Sequence, residues 1–344
     1  MRLSSAWFGT RACRSAAARR RRQSAVVLAA LSVTGLLAGC GSFGQAGAAS
    51  LPVVKVGVVP GVDNATLYLA KKLGYFTRAG VDVKIVDFTS VASELHMLST
   101  GQVNVAAGDY GDLFARQPAL QKSAFKILAD GYDAAPGVAE IMTMPNSPVQ
   151  TPAALANVTI GAPDTDVVSA PAGSPSSLLI ASATSVLIGD KVNSSVVNWK
   201  NMPQAQEISQ LVSGQLKAIL VTEPYVYQAQ QAGAVELLDV CSGATAGIPL
   251  SGYFTSASWA RNNPQAVAAF RKGLARANAD ASMPGPIQSV LPQYAHYSPQ
   301  EANLITTGVY PLSTVAANIQ RTADTMWSVG MIPQQLDVGS MIAR

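Results

Sequence analysis

Short β-branched runs alternate with stretches of helical apolar spacing from Val53 onward. Val53-Val54-Lys55-Val56-Gly57-Val58-Val59, ended by Pro60-Gly61, reads as a buried parallel strand. Across residues 65–79 the apolar positions Leu67, Leu69, Ala70, Leu73 and Phe76 follow helical spacing. Asp63 or Asn64 is placed to cap that helix and Gly80 to end it. Residues 81–88 alternate as a second strand, 91–100 read as a helix closed by Gly101, and 103–107 as a short buried strand. A further helix and a strand at 124–128 follow. Strands alternating with helices predict a parallel sheet.

The turn-rich segment 145–153 marks a boundary, after which a second series begins. Its strands are predicted at 158–161, 195–199, 218–221 and 235–240, and its helices at 174–188, 204–212 and 225–231. From Tyr253 the pattern turns helical, at 264–281, 299–307 and 314–329. The expected organisation is a first lobe at 53–148, a second at 149–250, and a return to the first lobe with C-terminal helices at 251–344.

The N-terminus has a different pattern. Residues 1–24 hold seven arginines and no acid, and 25–37 are apolar but too short for a stable membrane anchor. Leu37-Ala38-Gly39-Cys40 then resembles a bacterial lipobox. The expectation is a signal peptide at 1–39, lipid on Cys40, and a flexible tether at 40–52. The chain would then work outside the cytoplasmic membrane, held to its outer face. Arg21-Arg22 raises a twin-arginine route, but Gln23-Ser24-Ala25 fits it poorly, which favours general secretion.

Export also changes the charge. The full chain has 24 basic and 20 acidic side chains; without the signal's arginines the balance is 17 against 20, a net of −3. The basic character therefore gives no argument for nucleic-acid binding. Of the three cysteines, Cys13 lies in the signal, Cys40 is the lipid site, and Cys241 alone remains in the body, so no internal disulfide is expected.

Four segments resemble the SsuA/THI5-like (NMT1-type) solute-binding proteins. They are Leu67-Tyr68-Leu69-Ala70-Lys71-Lys72-Leu73-Gly74-Tyr75-Phe76 with Ala79-Gly80-Val81-Asp82-Val83; Leu98-Ser99-Thr100-Gly101-Gln102-Val103-Asn104-Val105-Ala106; Thr151-Pro152-Ala153-Ala154-Leu155 through Val158-Thr159-Ile160-Gly161; and Leu211-Val212-Ser213-Gly214-Gln215-Leu216-Lys217-Ala218-Ile219 through Thr222-Glu223-Pro224. Their order and spacing carry the likeness. It implies an α/β fold of the type II periplasmic-binding class: two lobes, two crossovers and a ligand cleft between them. It further implies a lipid-anchored, monomeric binding subunit of an ABC importer, whose partners are a permease and an ATPase.

Ligands of open α/β sheets sit beyond the carboxyl ends of strands. The loops so placed supply Asp63, Asn64 and Thr66; Asp109, Tyr110 and Asp112; Asp164, Thr165, Asp166, Ser174, Ser176 and Ser177; and Thr222, Glu223 and Tyr225. Helix capping is the competing role for each of the short polar residues. These loops hold six carboxylates and no lysine or arginine. That favours an amine-bearing or pyrimidine-like solute over a bare anion. Tyr110, Tyr225 and Tyr253 are candidates to stack on a ring or a cation. Glu223 is not a preferred cap residue, which points it to a ligand or to an inter-lobe bond. A sulfonate, taurine or nitrate binder of the same family is the alternative.

An enzyme is not expected. The two histidines, His96 and His296, stand apart, no Cys/His cluster has metal spacing, and Gly-x-Ser-x-Gly is absent. The cofactor lysine and the histidine of the family's pyrimidine-synthase branch fall near Gly108 and Asp112 here, and that branch's cysteine-rich run is missing. A related class of cytosolic menaquinone-pathway enzymes shares the fold, but the lipobox-like segment here argues against a cytosolic enzyme. No cofactor or metal is therefore expected, and an extracytoplasmic enzyme or sensor on the same fold remains the other class.

Overall fold

Val54, Val56 and Val58 are completely buried, and so the β-branched run at Val53–Val58 becomes the second strand in from the edge of a sheet. The computed structural model describes residues 50–88, 91–116, 125–163, 178–193 and 196–343. Its strands are β1 (Val53–Val58), β2 (Asp82–Asp87), β3 (Val105–Asp109), β4 (Phe125–Asp133), β5 (Ala139–Thr143), β6 (Thr159–Pro163), β7 (Asn198–Met202), β8 (Ala218–Thr222), β9 (Val235–Asp239) and β10 (Pro249–Ser256). Its helices are α1 (Ala65–Lys72), α2 (Tyr75–Ala79), α3 (Val91–Ser99), α4 (Tyr110–Arg116), α5 (Leu178–Gly189), α6 (Gln204–Val212), α7 (Tyr225–Gln231), α8 (Ala257–Asn262), α9 (Pro264–Ala281), α10 (Pro286–Tyr294), α11 (Pro299–Leu304) and α12 (Ala316–Ser328).

The strands form two five-stranded sheets, ordered β2-β1-β3-β10-β4 and β7-β6-β8-β5-β9. The two orders follow one scheme. In each sheet the fourth place is filled by a strand from across the crossover: β10 returns to the first sheet, and β5 runs ahead into the second. These two strands are antiparallel to their neighbours, while β1, β2 and β3 pair in parallel, as do β6, β7 and β8. The wholly parallel expectation is thus corrected. The result is a two-lobe α/β periplasmic-binding fold.

Two strands escaped the sequence reading. β5 is buried along its whole length, and Glu140 interrupts its apolar run. It places the crossing between Asp133 and Ala139, one strand ahead of the turn-rich segment at 145–153. β10 carries Ser251, Gly252 and Thr255, which masked it as loop. All three are buried: Thr255 donates to the Asn104 carbonyl at 2.7 Å, and a Cβ on Gly252 would stand 2.6 Å from the Tyr110 hydroxyl. Glycine here lets the Tyr110 ring lie against the strand. The single helix expected at 65–79 is broken at Gly74, whose φ of 67° suits glycine, into α1 and α2.

Helix α9 closes one face of the first sheet, with Phe270 stacked on Phe76 at 5.2 Å. Rings of this size dominate core burial, at about 1.5–3 kcal/mol per side chain. Among the described residues no helix is long and apolar enough to cross a membrane.

Candidate functional site

Three strand ends deliver the polar residues that meet between the sheets. β1 runs into the loop Val59–Asn64, β3 ends on Asp109, and β8 ends at Thr222-Glu223. They line a cavity of about 440 Å³ with Tyr132 and Val138 from the outgoing crossover, Leu250 and Ser251 from β10, Leu179 and Gln204 from the second lobe, and Tyr297 from the C-terminal segment. That volume lies within the small-ligand range of roughly 300–1,000 Å³.

The first loop is clamped from the C-terminal part of the chain. The Tyr294 hydroxyl donates to the Gly61 carbonyl at 2.9 Å, and the Tyr310 hydroxyl to the Val62 carbonyl at 2.6 Å. Tyr294 is itself stacked on Tyr68, whose hydroxyl donates to Asp87 at 2.6 Å. Asn64 ties the loop down locally, donating to the Val59 carbonyl and to Asp63 Oδ1, each at 3.1 Å. A Cβ on Gly61 would meet Asp63 Oδ1 at 2.6 Å, so glycine there leaves room for the carboxylate.

Burial governs the acids. It pushes the Asp63 carboxyl up to about 6 against the opposing pull of the Ser251 hydroxyl. Asp109 goes further, to about 8, through burial first and then the nearby charges of Asp112 and Asp63; the Gly111 and Asp112 amides oppose the rise. Those amide bonds make Asp109 the cap of α4 as well as a cavity residue. Glu223 is raised by burial and held back by two amides: Thr306 N–H to Oε1 at 2.8 Å and Tyr227 N–H to Oε2 at 3.2 Å. Its peptide to Pro224 is cis. Helix α7 begins only at Tyr225, so Pro224 precedes the first helical position instead of filling it.

Of the residues singled out in the sequence, Asp63, Asn64, Asp109, Thr222, Glu223 and Tyr225 line the cavity. Thr66 and Tyr110 do not. Thr66 is fully buried in α1 beside the Tyr253 ring. Tyr110 turns into the first-lobe core, where its hydroxyl donates to Asp130 at 3.0 Å and its ring meets Phe114 and Phe254. Tyr253 likewise packs on Phe270 in the core. Asp112 is buried in the first turn of α4. Cys40, Asp164, Thr165, Asp166, Ser174, Ser176 and Ser177 lie outside the described residues.

The sequence reading missed Tyr132, Gln204, Ser251 and Tyr297. Gln204 fixes the end of β8, accepting the Thr222 amide at 2.7 Å and donating to the Thr222 hydroxyl at 3.2 Å. Its one sequence signal was its place at the start of α6. Tyr297 follows α10, in a segment whose pattern says nothing about its return to the cleft. Among the described lining residues there are three carboxylates and no lysine, arginine or histidine. No group of three or more described His, Cys, Asp or Glu residues is arranged to hold a metal ion.

Residues 47–288 match the model of the NMT1-like family. No curated protein matches the sequence. In fold the chain is similar to the periplasmic aliphatic sulphonate binding protein SsuA from Escherichia coli, with a TM-score of 0.66 and 16% identity over 86% of this chain and 98% of that one. It is similar to the periplasmic nitrate-binding protein NrtA from Synechocystis PCC 6803, with a TM-score of 0.63 and 15% identity over 84% of each chain. It is also similar to the desulfurization enzyme DSZB, with a TM-score of 0.63 and 14% identity over 85% of this chain and 96% of that one.

Proposed function

Because the chain belongs to the NMT1-like family, we propose that it is an extracytoplasmic solute-binding protein, anchored by lipid on Cys40, that hands its solute to an ABC permease. The observation carrying this reading is the cavity between the sheets, built by strand ends of both lobes and by the returning C-terminal segment. Among the described residues two strand crossovers join the sheets, from β4 to β5 and from β9 to β10, which gives the lobes a hinge on which to close.

A binding role is favoured over catalysis by the lining itself. Among the described residues it has no cysteine, histidine or lysine, both Glu223 oxygens are engaged by amides, and Asp63 and Asp109 are the lining groups that could act as a base. The shared fold of DSZB keeps an enzyme as the competing class.

The proposed solute bears an amine or another cationic group. The acids of the lining have no basic partner there, and a bare anion would meet them with only helix N-termini in its favour, typically ~0.3–1 kcal/mol each. A thermal-shift panel of polyamines, aminopyrimidines, betaines, alkanesulfonates and nitrate, followed by small-angle scattering, tests the reading. A cationic hit should raise the melting temperature and reduce the radius of gyration. Stabilisation by sulfonate or nitrate alone would overturn the choice of solute, and turnover of a hit would overturn the binding role.

A further inference from the structure

The solute-binding reading above is the premise of this step, which narrows the chemistry of the solute. We infer that the cavity takes a quaternary ammonium group, enclosed by tyrosine rings around Asp63. Tyr294 and Tyr310 bond the Gly61 and Val62 carbonyls just ahead of Asp63, and their rings are packed by Tyr68 and Tyr132. Tyr132 and Tyr297 reach the cavity, and Tyr225 joins them from the second lobe. A carboxylate set among aromatic rings attracts cations twice over, through its charge and through the negative ring faces.

The rings are fixed in place. The Tyr132 hydroxyl accepts the Gly308 amide at 2.5 Å, and its ring meets Tyr310 at 5.2 Å. Tyr297 lines the cavity together with Asp63 of the first lobe and Glu223 and Tyr225 of the second. Little reorganisation is then needed when a cation enters.

The hydrogen bonding separates a quaternary from a primary amine. A primary ammonium has three N–H donors to satisfy. The cavity acids already accept internal donors: Asp63 from Asn64 and Ser251, Asp109 from the Gly111 and Asp112 amides, Glu223 from Thr306 and Tyr227. On Asp109 and Glu223 these bonds take about half of the roughly four lone-pair positions, leaving no single carboxylate with room for three converging N–H donors. A quaternary ammonium donates no hydrogen bond, and its methyl groups match the apolar walls of Val59, Pro60, Val138, Leu179 and Leu250.

Titration calorimetry on the mature protein tests this with three probes: choline, its primary-amine counterpart ethanolamine, and the uncharged isostere 3,3-dimethylbutan-1-ol. Choline should bind at least about tenfold more tightly than either, the scale of one or two cation–π contacts. Tyr297→Leu should cost choline about tenfold, while Tyr297→Phe, which keeps the ring, should stay within about threefold of the parent. Melting curves of both variants establish that they fold. Ethanolamine binding as well as choline would overturn the tyrosine cage and leave the amine solute standing. Failure of choline to bind while a panel member stabilises the protein would overturn the quaternary ammonium alone. Binding of methanesulfonate with no response to any ammonium probe would overturn both.

Discussion

Glu223 Oε1 accepts the Thr306 backbone amide at 2.8 Å. The two residues belong to different parts of the fold. Glu223 closes β8 of the second sheet, while Thr306 leads into Val309, which bridges Asp133 at the end of β4 in the first. The acid flagged in the sequence as either a ligand contact or an inter-lobe tie is therefore a tie that also lines the cavity.

Replacing Glu223 with Gln keeps the shape but removes one of the two acceptors facing amides. Glu223→Gln should lower stability by about 1–3 kcal/mol, the cost of leaving a buried donor unpaired. The midpoint of urea unfolding measures it. An unchanged midpoint would show that the Thr306 contact contributes nothing to the folded state.

Cation binding should strengthen as pH rises. Asp109 at about 8 holds its proton in the empty cavity near neutrality, and Asp63 at about 6 takes one up as the pH falls below that. The groups facing Asp63 are Ser251, Asp109 and the surrounding tyrosines, whose own values are raised and leave them neutral in this window. A bound cation favours the ionised acids and displaces those protons. Affinity for choline should climb through pH 6–8 and level off above, and calorimetry in buffers of different ionisation enthalpy should show proton release at pH 7. A flat profile with no released proton would remove these acids from recognition.

Glu207 carries a separate pH dependence. It is fully buried in the second lobe, with neither carboxylate oxygen in a well-formed hydrogen bond, and burial pushes it up to about 9 despite the Leu220 amide. The folded state thus keeps a proton that the unfolded chain gives up near 4.5. The stability this group contributes is present in full below that value and is lost as pH rises toward 9. Glu207→Gln should flatten the decline between pH 5 and 9 and raise stability at pH 8 by on the order of 1 kcal/mol or more. Chemical denaturation across that range checks it; a variant that declines as steeply as the parent would contradict it.

Cys40→Ser should release or mislocalise the protein, because a thioether-linked lipid cannot form on serine. Fractionation with mass spectrometry of the mature N-terminus reads the outcome. An unlipidated wild-type N-terminus within residues 41–51 would refute the anchor.

Local pattern and long-range assembly divide what the sequence made legible. Helices at 204–212 and 225–231 appear where the periodicity put them, since their apolar faces and stops are local. β5 and β10 were hidden because each is buried on both faces yet carries polar residues bonded across the sheet. The site divides in the same way. Asp63, Asp109, Glu223 and Tyr225 were accessible from the logic of strand ends and helix starts. Tyr132, Ser251 and Tyr297 reach the cavity through crossovers and a C-terminal return that no local spacing encodes. Tyr110 sits at a helix start like the others, but Gly252 opens a recess that draws its ring into the core.

The exchanged fourth strands set the order in which the chain acquires its structure. Among the described strands β4 pairs with β10, besides single bridges to Val309 and Ile342 further along the chain. A nascent chain that has reached residue 240 has therefore made every strand of the second sheet while the first still lacks its link between β3 and β4. The first sheet stays incomplete until Pro249–Ser256 has been made, so its closure depends on a pairing between segments more than a hundred residues apart and belongs to the slow, non-local part of folding.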